Sequence, residues 1–115
     1  MRRGDIYWAD MIPRSGSEQR GRRPVIIVSH DGFNQTPDWR SVIVVPISSS
    51  MAQTLRGPTV VPLPRASGGL KKDSVAVCHQ VTTLDRAKLT DSLGKLSQEL
   101  LQMVDAALKA ALDLE

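Results

Sequence analysis

The stretch from Gly16 to Pro24, Gly-Ser-Glu-Gln-Arg-Gly-Arg-Arg-Pro, concentrates the groups of this chain that could do chemistry. One carboxylate, Glu18, stands among Arg14, Arg20, Arg22 and Arg23, with the hydrogen-bonding side chains of Ser17 and Gln19 on either side of it. A carboxylate can take a proton from a hydroxyl. Guanidinium groups grip phosphate oxygens in pairs and stabilise the charge that builds on them. Cleaving RNA without a metal needs three things: a 2′-OH that loses its proton, a stabilised phosphorane and a protonated 5′-oxygen leaving group. Arginine is a poor proton donor, its pKa lying above about 12, so its first role here is electrostatic. On composition alone, the same residues also suit a solvated surface loop.

Other chemistries find less support. His30 and His79 lie 49 residues apart, and no HxH, HxxxH or CxxC spacing offers a metal site. The two histidines could still meet in space as an acid–base pair. The acidic residues are scattered, and neither a glycine-rich phosphate loop nor a GxSxG elbow is present. A single cysteine, Cys78, excludes an intrachain disulfide. Its run Ser-Val-Ala-Val-Cys reads as a strand that buries an inert thiol.

The loop lies between two hydrophobic segments that must hold it. Gly4–Asp10 contains Ile6, Tyr7 and Trp8 and predicts a strand, with Tyr7 and Trp8 on opposite faces. Pro24 leads into Val-Ile-Ile-Val, a buried strand ending near Ser29. His30–Asp38 is turn-rich and holds at most a short helical turn. Ser41–Ile47 predicts a further strand, whose Pro46 argues for a sheet edge or bulge. Thr59–Leu63 reads as an edge strand, Ala66–Asp73 as a loop or hairpin turn, and Ser74–Cys78 with Gln80–Leu84 as strands or one long bent strand. Asp85 can cap a turn over Arg86–Leu89. Beyond Ser97, Leu100, Val104, Leu108 and Leu112 recur every four residues, which predicts an amphipathic helix over about 98–112. Ser97 caps it, Leu96 and Leu101 are spaced as a hydrophobic staple, and Asp105 and Lys109 are spaced as an i,i+4 pair. Short strands without βαβ alternation point to a small antiparallel barrel with helix packed outside, and disfavour a doubly wound fold.

A length of 115 residues suits one domain over the whole chain, 1–115. With 41% apolar and 23% charged residues the composition is globular. The longest apolar runs, Val25–Val28 and Val42–Val45, are too short for a membrane span or signal core, so a cytoplasmic location is expected. Charge is unevenly distributed. Residues 1–72 hold 11 Lys/Arg against 5 Asp/Glu, and residues 73–115 hold 4 against 7. A basic face makes a polyanion the natural partner, although scattered solvated charges fit the total of +3 as well.

The sequence resembles the MazF/PemK (Kid) family of toxin endoribonucleases. The resemblance rests on Arg3–Asp10, Gly16-Ser17-Glu18-Gln19, Arg22–Ser29, Val44–Ser49, Lys72–Val75 and Gln80–Asp85, in the family's order and spacing. It implies a small SH3-like, CcdB/PemK-type antiparallel barrel with a C-terminal helix, mainly β, assembled as a homodimer. It implies metal-independent, sequence-specific cleavage of single-stranded RNA, messenger RNA in the first place, to 2′,3′-cyclic phosphate and 5′-OH ends. No cofactor is implied. The partner is a cognate antitoxin whose acidic, disordered tail blocks the RNA groove. The family's leading catalytic arginine corresponds to Arg23, its strand-end hydroxyl to Ser48, where threonine is usual, and its loop glutamate to Glu18. Ser17, Gln19, Arg20, Arg22, His30, Ser49, Arg56 and Gln80 are the expected RNA contacts. His30 stands where the family often has asparagine, and His79 where an acidic residue commonly precedes the glutamine, so both could bring a histidine to the groove. Phe33 and Trp39 fill a core or interface, or stack on bases. Two rivals remain: a CcdB-like gyrase poison that is not an enzyme, and a noncatalytic SH3-like module that binds RNA or peptide.

Overall fold

The computed structural model describes residues 1–11, 21–50 and 57–115. Seven strands appear in chain order: β1 Asp5–Met11, β2 Gly21–Ile27, β3 Ser41–Ser48, β4 Val60–Leu63, β5 Ser74–Val77, β6 Thr82–Asp85 and β7 Leu89–Lys95. A short helix, α1 Asp31–Asn34, follows β2, and α2 Gln98–Leu112 closes the chain. The strands are antiparallel throughout, in the order β4-β5-β3-β2-β1-β7, with β6 also pairing β3. The sheet is therefore not a closed barrel: β4 and β7 stand at its two ends.

Strand β3 organises the rest. On one side it pairs with β2 through Val44↔Ile27, Val45↔Ile26 and Pro46↔Val25. On the other it pairs first with β6, over Ser41–Val44, and then with β5, over Ile47–Ser48. Between β5 and β6 the chain makes a 3₁₀ turn over Cys78–Gln80. Ser74–Asp85 thus runs beside β3 as the one bent strand the sequence suggested, broken where β3 changes partner. This also corrects the expectation for Pro46, which lies in a central strand. The Ile43 carbonyl accepts from Val28 and Ser29 on the β2 side, at 2.9 and 3.2 Å. Backbone groups alternate sides along a strand, so the nitrogen of Pro46 faces the other way, into the gap where β6 has ended and β5 has not begun.

Alternation makes β2 and β3 feed two cores. Ile26, Val45 and Ile47 join Ile6, Leu63 and Ala76 beneath α2, which contributes Val104 and Ala107. Val25, Ile27, Val42 and Val44 join Ala9 on the opposite side. Tyr7 packs on this second core while Trp8 faces the other way, as the strand period requires. Each fully buried Val, Ile or Leu contributes roughly 1.5–3 kcal/mol.

Helix α2 starts where predicted, with the Ser97 hydroxyl accepting from the Leu100 N–H at 3.2 Å. Its apolar stripe is narrower than the sequence suggested, since Met103 and Leu112 are exposed. Asp105 does not turn to Lys109. It accepts from the Arg3 guanidinium at 2.6 Å, while Arg3 Nε donates to the Val28 carbonyl. A tertiary partner has displaced the helical pair and ties the start of the chain to α2. At α1, Phe33 and Trp39 stack on each other at 4.5 Å and 12° and remain exposed. The Arg86 guanidinium holds their loop by donating to the carbonyls of Phe33, Asn34 and Trp39.

One strand was not legible. Strand β7, Leu-Thr-Asp-Ser-Leu-Gly-Lys, alternates weakly because it is an end strand pairing β1 alone. The 3₁₀ turn Arg86–Lys88 before it is capped by the Asp85 carboxylate, which accepts from the Ala87 N–H at 2.8 Å. That hydrogen bond holds the Asp85 carboxyl below the usual carboxylate range. The β4–β5 loop crosses to β7 at Gly68 and Gly69, whose φ values are +53° and +85°. A Cβ on Gly69 would strike the Leu93 carbonyl, and one on Gly68 would strike Ile6. The glycine pair therefore lets a loop from one end of the sheet lie on the strand at the other end.

Gly69→Ala is expected to lose ~1–3 kcal/mol from backbone strain alone, with a further loss from the clash, as a lowered urea midpoint at unchanged slope. Burial among apolar groups, reinforced by the Asp105 charge, pushes the Cys78 thiol up to about 12. The native protein should resist a disulfide reagent at pH 8 and react at once in denaturant. Because the unfolded thiol ionises first, stability should also fall as pH rises above the ordinary thiol range.

Candidate functional site

Pairing along β1, β2 and β3 brings the expected residues to one end of the sheet. Ala9 pairs with Arg23 and Asp10 with Arg22. The β2–β3 ladder ends at Val25↔Pro46, and Arg23 and Ser48 each lie two residues beyond that last pair. Arg23 and Ser48 share parity with Val25 and Val44, and so fall on the same side of the sheet. Arg22 shares parity with Ile26, and falls on the other.

A cavity of about 380 Å³ opens beside this end of β2. Its apolar surface comes from Trp8, Pro24, Ile47, Leu70 and Leu93. Trp8, Pro24 and Ile47 share the side of Arg22; Arg22, Lys71 and Lys72 bring cations to the cavity, Arg23 borders it from a strand position that faces the other side, and Ser49 and Ser74 supply hydroxyls. Among the described residues no carboxylate lines it. Arg22 is fixed by neighbours: its guanidinium lies 4.8 Å over the Trp8 ring and forms an ion pair with Asp91. Arg23 has no such partner among the described residues and is half-buried.

Ser48 is only 5% exposed, and its Oγ accepts from the Ser50 N–H at 3.0 Å. That bond fixes the hydroxyl oxygen at the end of β3 and leaves its own O–H as the group it can offer a phosphate. Ser49, the next residue, reaches the cavity itself.

Other expected contacts lie elsewhere. His30 is not part of the cavity. It sits beyond the far end of β2, where its Nδ1 accepts from the Gly32 N–H at 2.8 Å and caps α1. Gln80 is half-buried in the 3₁₀ turn between β5 and β6, and is not among the cavity residues. His79, beside it, is bonded through Nδ1 to the Thr59 hydroxyl at 2.8 Å. Ser17, Glu18, Gln19, Arg20 and Arg56, together with Arg14, fall outside the described residues. Among the described residues no group of three or more His, Cys, Asp or Glu is placed to hold a metal ion. The sequence assigned no role to Lys71 or Lys72, although Lys72 opens one of the segments that carry the resemblance. Their signal was a basic pair directly after Gly-Gly-Leu in a hairpin loop, which gains meaning only when the loop is seen to fold back on β7.

Sheet and cavity together define a small β protein with a cavity that is cationic at one side and apolar at the other. Comparison with known proteins sharpens this. The model of the PemK-like, MazF-like toxin family of type II toxin–antitoxin systems matches residues 2–112. The endoribonuclease EndoA of Bacillus subtilis (strain 168) is 35% identical over 114 residues, covering 99% of this chain and 96% of its own. The crystal structure of MazF from Deinococcus radiodurans matches with a TM-score of 0.79 at 25% identity, over 99% of this chain and 97% of that one. A mycobacterial endoribonuclease, solved in complex with its cognate antitoxin, matches with a TM-score of 0.74 at 25% identity, over 100% and 95%. The chain belongs to the PemK/MazF-like family of type II toxins. No described helix is long and apolar enough to cross a membrane.

The Arg22–Trp8 contact makes its own prediction. In a Trp39→Phe background, Arg22→Ala should increase quenching of Trp8 fluorescence by the neutral quencher acrylamide, because one ring face loses its cover. Thermal stability should change little, since exposed ion pairs contribute ~0–1 kcal/mol.

Proposed function

We propose that this protein is a cytoplasmic, metal-independent endoribonuclease that cuts single-stranded RNA at short sequences, and that an antitoxin with an acidic segment inhibits it. The observation that carries this reading is the placement of Arg23: unpaired among the described residues, at the border of a cationic cavity, and, like Ser48, two residues beyond the end of the β2–β3 ladder. Family membership and the 35% identity to an endoribonuclease support it over a gyrase poison or a noncatalytic binding module.

In this mechanism the 2′-oxygen attacks phosphorus and the bond to the 5′-oxygen breaks. The products are a 2′,3′-cyclic phosphate and a 5′-hydroxyl, the departing 5′-oxygen taking its proton from solvent water. Arg23 supplies positive charge to the non-bridging oxygens as the phosphorane forms, where such charge lowers the barrier most. Ser48 donates its O–H to the same phosphate. Glu18 takes the 2′-OH proton or orients Arg23. The protein acts as a homodimer, and Ser17, Gln19, Arg20, Arg22, Ser49, Arg56 and Gln80 contribute to RNA contact around the centre.

Arg23→Ala should lower the single-turnover cleavage rate of a defined RNA by ~10²–10³-fold, equivalent to ~2.7–4 kcal/mol of barrier. Its circular dichroism and melting temperature should stay near wild type. Ser48→Ala should reduce the rate less, and Ser48→Thr should restore it. An Arg23→Ala protein that cleaves at the wild-type rate would overturn the assignment.

A further inference from the structure

Lys71 and Lys72 take no part in the mechanism above, yet both line the cavity beside Arg23. Both are exposed, and among the described residues neither has an ion-pair partner. The neighbouring acid, Asp73, is engaged in accepting from the Arg65 N–H at 2.8 Å. The lysines are carried on a supported arm. Gly68 and Gly69 seat the loop on β7, where the Gly68 carbonyl comes so near Gly94 that a Cβ there would lie 2.8 Å from it. Leu70, just before the lysines, is 7% exposed and anchored in the core beneath α2. Two unpaired ammonium groups are thus held at the mouth of a cavity whose apolar surface comes from Pro24, Ile47, Leu70 and Leu93.

We infer that this cavity is a single-nucleotide subsite of the RNA path, in which Lys71 and Lys72 neutralise a backbone phosphate adjoining the scissile one while the apolar surface receives that nucleotide's base. The inference rests on the ribonuclease reading and names what part of the substrate this cavity holds. Size, charge and polarity agree. A volume of about 380 Å³ lies at the small end of ligand sites, roughly 300–1,000 Å³, so it suits one nucleotide and not a run of them. Cations, with no carboxylate lining the cavity among the described residues, match a phosphate. An apolar surface beneath them matches an unstacked base, which single-strand readers bury against apolar and aromatic side chains. Arg22 is committed to Trp8 and Asp91, so the phosphate falls to the lysines.

The test is binding of a fluorescent single-stranded oligoribonucleotide across a salt series. It uses Arg23→Ala protein to prevent cleavage, with and without Lys71→Gln and Lys72→Gln. The double substitution should weaken binding roughly tenfold and reduce the slope of log affinity against log salt by about 1. Lys71→Arg with Lys72→Arg should restore both. In the cleaving protein, the glutamine pair should raise KM by a larger factor than it lowers kcat. An unchanged slope with unchanged affinity overturns the subsite. Unchanged RNA binding with weakened binding of a synthetic Asp/Glu-rich peptide also overturns it, and gives the cavity to a protein partner. If the wild-type protein cleaves no RNA but the slope still falls, the subsite stands and the ribonuclease reading fails.

Discussion

The structure depends on one constraint: β3 must satisfy two different strands on the same side. It pairs with β6 up to Val44 and with β5 from Ile47. The change of partner between them bends the sheet, and it is tolerated because Pro46 has no N–H to lose in the gap. On its other side β3 keeps an unbroken register with β2. Arg23 and Ser48 each lie two residues beyond the last pair of that ladder, Val25↔Pro46. A slip of one residue would send Val25 and Ile27 away from one core and Ile26 away from the other, so burial of these side chains locks the site's geometry. The stability of the fold and the alignment of the chemical groups therefore come from the same contacts.

The open sheet has a second consequence. A barrel with hydrogen bonds all round would leave little room beside β1 and β2. Here β4 and β7 are not paired, and the β4–β5 loop spans the distance between the sheet's two ends through Gly68 and Gly69. The space enclosed beneath that loop is the cavity, and the loop itself carries Lys71 and Lys72 to its rim. Core contacts through Leu70 hold the loop down, and the charges are left outside. The Arg22–Trp8–Asp91 contact shapes the other wall without consuming Arg23.

Much of this was legible in the sequence, for physical reasons. Helix α2 showed itself because its period, its Ser97 cap and its apolar stripe all agree. Strands β2 and β3 showed themselves because burial on both faces demands continuous runs of Val and Ile. Strand β7 did not, because an end strand with Thr90, Asp91 and Ser92 needs no apolar alternation to persist once β1 offers it a ladder. The Asp105–Lys109 pair was reasonable locally and lost to Arg3, which approaches from 102 residues away in sequence. His30 looked like a groove residue by position, but its ring is used to start α1. Arg23 and Ser48 entered as site candidates through the family resemblance, and the structure sets them at the ends of β2 and β3. Lys71 and Lys72 did not, because their meaning depends on a long-range contact between glycines and β7.

In the proposed reaction Arg23 and its neighbours cleave RNA by internal attack of the 2′-oxygen, with no metal. The measurement that tests it most directly is end-group analysis of the products from a long, defined single-stranded RNA incubated with purified protein in EDTA. The account predicts discrete cuts whose upstream fragments end in a 2′,3′-cyclic phosphate and whose downstream fragments begin with a 5′-hydroxyl. An RNA left intact in EDTA, or fragments bearing 3′-hydroxyl and 5′-phosphate ends, would contradict it.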